Sequence, residues 1–132
     1  MFLIDTDVLI WVLRGNKKYT EFLGKLKDQS FLSISTITVA EIYKNIFPSE
    51  ILKTENLLNE FQIWDVNYPT AKQAGFYWQQ FSKRLKNLSL TDCLIAGTAN
   101  TNNLTLVSLN TKHFPMKDIE VLNPLTSAVR QH

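Results

Sequence analysis

Phe2-Leu3-Ile4-Asp5-Thr6-Asp7-Val8 is a short apolar run that breaks abruptly into two carboxylates, and an apolar stretch, Val8 to Leu13, follows at once. A run of this kind reads as a buried strand. Asp5 then stands at its carboxyl end, and the next helix starts at Thr6 or Asp7. In open parallel α/β sheets that edge is where ligands bind. Two carboxylates placed there repel each other, shift a pKa, or share a cation. A hard divalent cation with oxygen ligands is the usual remedy; the alternative is a plain acidic helix cap.

The rest of the chain alternates in the same way. Residues 18 to 28 carry Tyr19, Phe22, Leu23 and Leu26 at helical spacing, and Phe31 to Ile34 reads as a second strand. Ser35 to Thr38 offer capping hydroxyls for a helix reaching about Ile46, and Ser49 caps another reaching about Phe61. Ile63 to Val66 reads as a strand. Asn67 caps a long helix with Pro69 in its first turn, running to about Lys86. Ser89-Leu90-Thr91 opens a helix to about Asn100. Leu104 to Val107 and Ile119 to Leu122 complete the strands. Strands separated by helices imply parallel pairing with crossover connections. The expected fold is a three-layer α/β/α sandwich on a four- or five-stranded parallel sheet, one domain over residues 1–125, with a frayed tail at 126–132.

Composition bounds the function. The 132 residues are 45% hydrophobic and 20% charged, with net charge +2, as in globular domains. No apolar run approaches the ~20 residues that span a bilayer, and no leader pattern is expected. Cys93 is the lone cysteine, which suits a reducing cytoplasm; it sits in an apolar run and reads as an inert buried thiol. Net charge does not announce a nucleic-acid binder, but from Lys72 to Lys117 there are six basic residues and one acid, Asp92. A basic surface around a lone carboxylate attracts phosphates.

Three acids share a local setting. Asp5 follows the first strand, Glu41 lies in the first turns of the helix after the second, and Asp92 lies in the first turn of the helix opened by Ser89. Around a helix, Glu41 falls away from the Val39, Ile42, Tyr43, Ile46 stripe, and Asp92 away from the Leu90, Cys93, Leu94, Gly97 stripe. Each alone also suits a first-turn acid complementing a helix dipole. Asp7, two residues after Asp5, either supports it or is a plain helix-start acid. His113, without a partner signature, reads as a turn or surface residue.

The sequence resembles the PIN-domain ribonucleases. Asp5-Thr6-Asp7-Val8-Leu9 looks like their opening motif, Ile34 to Ile42 like the second, ending in an acid, and Leu90-Thr91-Asp92-Cys93-Leu94-Ile95-Ala96 like the third. Leu106 to Phe114 resembles the closing strand and turn. Four weak motifs in order span nearly the whole chain, and the short length further resembles the VapC toxins of bacterial toxin–antitoxin pairs.

The resemblance implies that Asp5, Glu41 and Asp92 gather at one sheet edge and bind Mg²⁺ or Mn²⁺, with RNA as substrate. Asp5 and Asp92 would be direct ligands, and Glu41 would orient or deprotonate the attacking water. Asn110 stands where the family often has a fourth acid; it ligates weakly or positions a water but adds no charge. Thr6, Ser108 and Asn110 would hydrogen-bond the carboxylates or the scissile phosphate, and Arg84, Lys83 or Lys86 would hold flanking phosphates or simply solubilise. The resemblance also implies a homodimer and a VapB-type antitoxin. Competing readings are a catalytically degenerate PIN-like module that binds RNA or protein, an RNA-maturation nuclease, and a phosphatase of the haloacid-dehalogenase type suggested by Asp5-x-Asp7. The last also needs a later lysine and a further acidic pair, whereas Asp92 stands alone and Val8-Leu9 follows the motif in place of the usual Gly-Thr-Leu.

Overall fold

The computed structural model describes residues 1–126. Most of the tail expected at 126–132 therefore lies outside the described residues. The described residues form five parallel strands: β1 (Phe2–Ile4), β2 (Leu32–Ser35), β3 (Gln62–Trp64), β4 (Thr105–Val107) and β5 (Val121–Leu122), in the order β3-β2-β1-β4-β5. Helices α1 (Thr6–Leu13) and α2 (Lys17–Gln29) join β1 to β2; α3 (Thr36–Tyr43) and α4 (Ile51–Leu58) join β2 to β3; α5 (Tyr68–Phe81) and α6 (Leu90–Thr101) join β3 to β4. The chain leaves β1 towards β2 and β3, then returns to lay β4 on the other side of β1. The order therefore reverses between β1 and β4, and a crevice opens beyond their carboxyl ends.

Strand alternation divides the core in two. Leu3 and Leu106 face α5 and α6, packing with Ala74, Tyr77, Phe81, Ile95 and Ala96. Ile4, Ile34 and Val107 face the other way, onto Val8, Leu9, Leu23, Leu26, Ile42 and Leu58. Helices on both faces of a parallel sheet give the expected three layers. Cys93 is fully buried in the first cluster, and burial, with Asp92 adjacent, raises its thiol pKa to about 11. It is the inert thiol its apolar surroundings foretold.

Capping sets the boundaries. Asp5, Ser35, Asn67 and Ser89 each accept a backbone N–H at the start of a helix. Gly15, at φ 81°, ends α1 in a left-handed turn in which the Gly15 and Asn16 amides donate to Val12 O and Trp11 O, both at 3.0 Å. Gly97 sits where α6 crosses α5: a Cβ there would lie 2.8 Å from Thr70 O.

Several elements are shorter than their sequence patterns suggest. α3 stops at Tyr43 rather than near Ile46, because Phe47 is extended ahead of Pro48 and its N–H is taken by Glu50 (2.9 Å). Ser49 does not cap α4; it lies in a 3₁₀ turn, Pro48–Glu50, and α4 ends at Leu58 rather than Phe61. β3 stops at Trp64, paired with Ser35, because β2 ends there to cap α3 and leaves Asp65 and Val66 no partner. α5 stops at Phe81 rather than Lys86, and the following turns carry Leu85 and Leu88 into the core. β5 begins only at Val121, so Asp118 lies in the turn before it.

Candidate active site

The crevice beyond β1 and β4 collects the carboxylates. Asp5, at the end of β1, is buried. Its Oδ1 accepts the Thr6 amide (2.8 Å) and its Oδ2 accepts the Ser108 hydroxyl (2.8 Å) from the end of β4. Asp7 does not turn away into solvent. Because Asp5 rather than Thr6 caps α1, the first turn aims Asp7 at the chain leaving β4. There its Oδ2 accepts from the Leu109 amide (3.1 Å) and the Asn110 side-chain amide (3.0 Å), and lies 3.4 Å from Ser108 Oγ. The Asn110 backbone amide donates in turn to Ser108 Oγ (3.0 Å).

Thr6 links this group to α3. Its hydroxyl, 3.1 Å from Thr38 Oγ1, donates to Glu41 Oε1 at 2.6 Å, which leaves the half-buried Glu41 anchored at the crevice wall. Asp92 enters from α6 in a reciprocal cap: its amide donates to Ser89 Oγ (3.0 Å) and its Oδ2 accepts the Ser89 amide (3.2 Å). His113 Nδ1 stands 3.5 Å from the same Oδ2. Sequence reasoning passed over His113, which ends a 3₁₀ turn, Thr111–His113, that nothing local ties to Asp92. It also missed Thr38, visible only as one of several hydroxyls at a helix start.

The electrostatics follow from burial. Desolvation, then the charge of Asp7, and more weakly that of Asp92, push the Asp5 carboxyl up to about 7, against the lowering effect of the Ser108 and Thr6 hydrogen bonds. Asp7 is raised too, by desolvation. Asp7 Oδ1 is buried without any hydrogen-bond partner. A buried Asp5 beside a half-buried Asp7 that repels it, with the Asp7 Oδ1 oxygen unmatched, has the donor chemistry of a hard cation site. The expected ligands Asp5, Glu41 and Asp92 line one crevice. Among the described residues, however, no three acidic, histidine or cysteine side chains close around a single ion position, because Glu41 is drawn to Thr6 and Asp92 to Ser89. Arg84 is not part of this network; it stacks on Phe81 and lines a separate cavity beyond α5.

Comparison with known proteins agrees with this geometry. Residues 2–119 match the PIN domain family model. Ribonuclease VapC10 of Mycobacterium tuberculosis is 33% identical over 124 residues, covering 94% of this chain and 92% of that protein. FitAcB from Neisseria gonorrhoeae superposes with a TM-score of 0.76 at 26% identity, covering 96% of this chain and all of that one. VapBC2 from Rickettsia felis, solved with a DNA fragment from its promoter, shares the fold with a TM-score of 0.81 at 22% identity, over 92% of this chain and 97% of its own. With the family match spanning nearly its whole length and the carboxylates at the switch point of its sheet, the chain belongs to the PIN domain family.

Proposed function

We propose that this chain is a Mg²⁺-dependent endoribonuclease, with Mn²⁺ as a substitute, acting as the toxin of a toxin–antitoxin pair. The observation that carries the reading is the pair of buried Asp5 and half-buried Asp7, bridged by Ser108 beside Asp92. A protein that only bound anions would have no use for clustered negative charge at its crevice. The relatives support the class: VapC10 is named a ribonuclease, and the Klebsiella pneumoniae neighbour, 25% identical with a TM-score of 0.76, is a toxin–antitoxin complex.

Asp5 and Asp92 are the direct metal ligands in this reading. When bound, the cation supplies an activated water and neutralises charge at the phosphate. Glu41, held by Thr6, orients that water or takes its proton. Ser108 fixes the Asp5 carboxylate from behind, and Asp7 with Asn110 ties the turn after β4 to the first turn of α1. These supporting bonds keep the reacting carboxylates in place as substrate enters.

A VapB-type antitoxin and a homodimer belong to the same proposal. Trp11, Phe47 and Leu52 stand exposed on adjoining elements, as do Phe76 and Trp78 on α5, which leaves apolar surface for both partners. No helix among the described residues is long and apolar enough to cross a membrane, and a cytoplasmic location suits the lone reduced Cys93. The test is cleavage of total cellular RNA by the purified protein with Mg²⁺ or Mn²⁺, abolished by EDTA. Discrete fragments support the reading, and their ends name the target. Intact RNA with either metal favours the degenerate RNA- or protein-binding module, to which Asn110 in place of a fourth acid lends some weight.

A further inference from the structure

The segment between α5 and α6 winds through turns that bury Leu88 and leave Arg84 exposed, with the Arg84 guanidinium 5.3 Å over the Phe81 ring. A guanidinium stacked this way is pre-organised and keeps its in-plane donors available. Arg84 lines a cavity of about 690 Å³ together with Gln80, Phe81, Pro115, Lys117 and Asp118, a size suited to a small ligand. Asp118 is its one acid, and both of its oxygens are already engaged, by Tyr77 OH (2.7 Å) and Asn100 Nδ2 (3.3 Å). Neither Arg84 nor Lys117 is ion-paired among the described residues. Two unmatched cations, an aromatic stack and an amide suit a phosphate with its attached base.

The cavity is separate from the carboxylate crevice, but the chain segments that form its two walls both lead to crevice residues. Arg84 leads through Leu88 to Ser89 and Asp92, while His113, which touches Asp92, leads to Pro115 and Lys117. Lys117 is four positions after His113, so their backbones lie within about 14 Å. We propose that this cavity seats an unpaired nucleotide of the RNA strand close to the one cut in the crevice. Arg84 and Lys117 hold its phosphate, and Gln80 and the Arg84–Phe81 stack meet its base. This assignment rests on the ribonuclease reading. A recess of this kind admits a base only when it is splayed out, so single strands bind and continuous duplex does not.

The test measures binding of a fluorescein-labelled single-stranded oligoribonucleotide spanning the cleavage site, by anisotropy over a range of salt. It is run in an Asp92→Asn background that prevents cleavage. Arg84→Gln and Lys117→Gln each raise Kd by about 3- to 10-fold and lower the salt slope by about 0.7. Arg84→Lys restores the slope but not the full affinity. Lys25→Gln, on α2 across the sheet, changes neither quantity, and matching melting curves verify that all variants fold. Unchanged Kd and slope in the Arg84 and Lys117 variants, or the same change in Lys25→Gln, overturn the subsite while an RNA-cleaving parent keeps the ribonuclease reading intact. A wild-type protein that neither binds nor cleaves RNA overturns both.

Discussion

The Ser108 hydroxyl lies 2.8 Å from Asp5 Oδ2 and 3.4 Å from Asp7 Oδ2, and it has one proton to give. It gives that proton to the nearer, more deeply buried Asp5 while accepting the Asn110 amide at 3.0 Å. One side chain at the end of β4 thus fixes the carboxylate at the end of β1 and shapes the turn that grips Asp7. Ser108→Ala removes this bond and leaves a buried carboxylate oxygen unmatched. The expected cost is about 1–3 kcal/mol in urea unfolding of metal-free protein, with cleavage slowed by roughly 10- to 100-fold. A variant as stable and as active as the parent would deny Ser108 this role.

The raised Asp5 pKa has a definite sign. In the unfolded chain Asp5 titrates near 3.8, and in the fold near 7. Between these values the folded state holds a proton that the unfolded state has released, so stability falls as pH rises. Metal-free protein should therefore lose melting temperature from about pH 4 to about pH 7. Binding of Mg²⁺ needs the carboxylate, so millimolar Mg²⁺ should raise the melting temperature at about pH 8 and hardly at all at about pH 5. Melts recorded with EDTA and with Mg²⁺ across this range decide it; an Mg²⁺ effect equal at both ends would contradict the assignment of Asp5 as a ligand.

Glu41 is anchored by the Thr6 hydroxyl at 2.6 Å, on an element separate from the other acids. If it handles water rather than holding the metal, Glu41→Gln lowers kcat by about 100-fold or more while Mn²⁺ affinity by calorimetry changes little. Thr6→Val, which frees Glu41, should lower kcat more mildly. A Glu41→Gln protein that loses Mn²⁺ binding altogether would instead make Glu41 a direct ligand.

Much of this was legible in the chain. The apolar run ending at Asp5, the caps at Ser35, Asn67 and Ser89, and the alternation of strands with helices are local signals, and they put Asp5 at a strand end and Glu41 and Asp92 in early helical turns; that the three acids share one sheet edge came from the resemblance to the PIN-domain ribonucleases. What stayed hidden depends on distant pairing. Asp7 is decided by a turn about a hundred positions away, and β3 stops where β2 turns to cap α3. His113 meets Asp92 only because the 3₁₀ turn Thr111–His113 after β4 brings it to the first turn of α6. The early end of α5 was invisible because Leu85 and Leu88 continue an apolar pattern that the chain fulfils by turning rather than by extending the helix.

Gly97 tests the packing behind the site. A Cβ there would stand 2.8 Å from the Thr70 carbonyl, on backbone that cannot swing aside. Gly97→Ala should gain helix propensity yet lose about 1–3 kcal/mol overall by forcing α5 and α6 apart. Chemical denaturation measures it; a stabilised variant would mean the two helices are free to slide.

The most direct measurement is single-turnover cleavage of a defined RNA by the wild type and by Asp92→Asn at saturating Mg²⁺, with circular dichroism to match their folding. Asp92 reaches the crevice from α6 and Asp5 from β1, and a metal-dependent site needs both. Predicted is cleavage by the wild type that EDTA abolishes, and a loss of at least ~100-fold in Asp92→Asn. Equal cleavage by the two folded proteins would contradict the carboxylate crevice as the seat of the reaction.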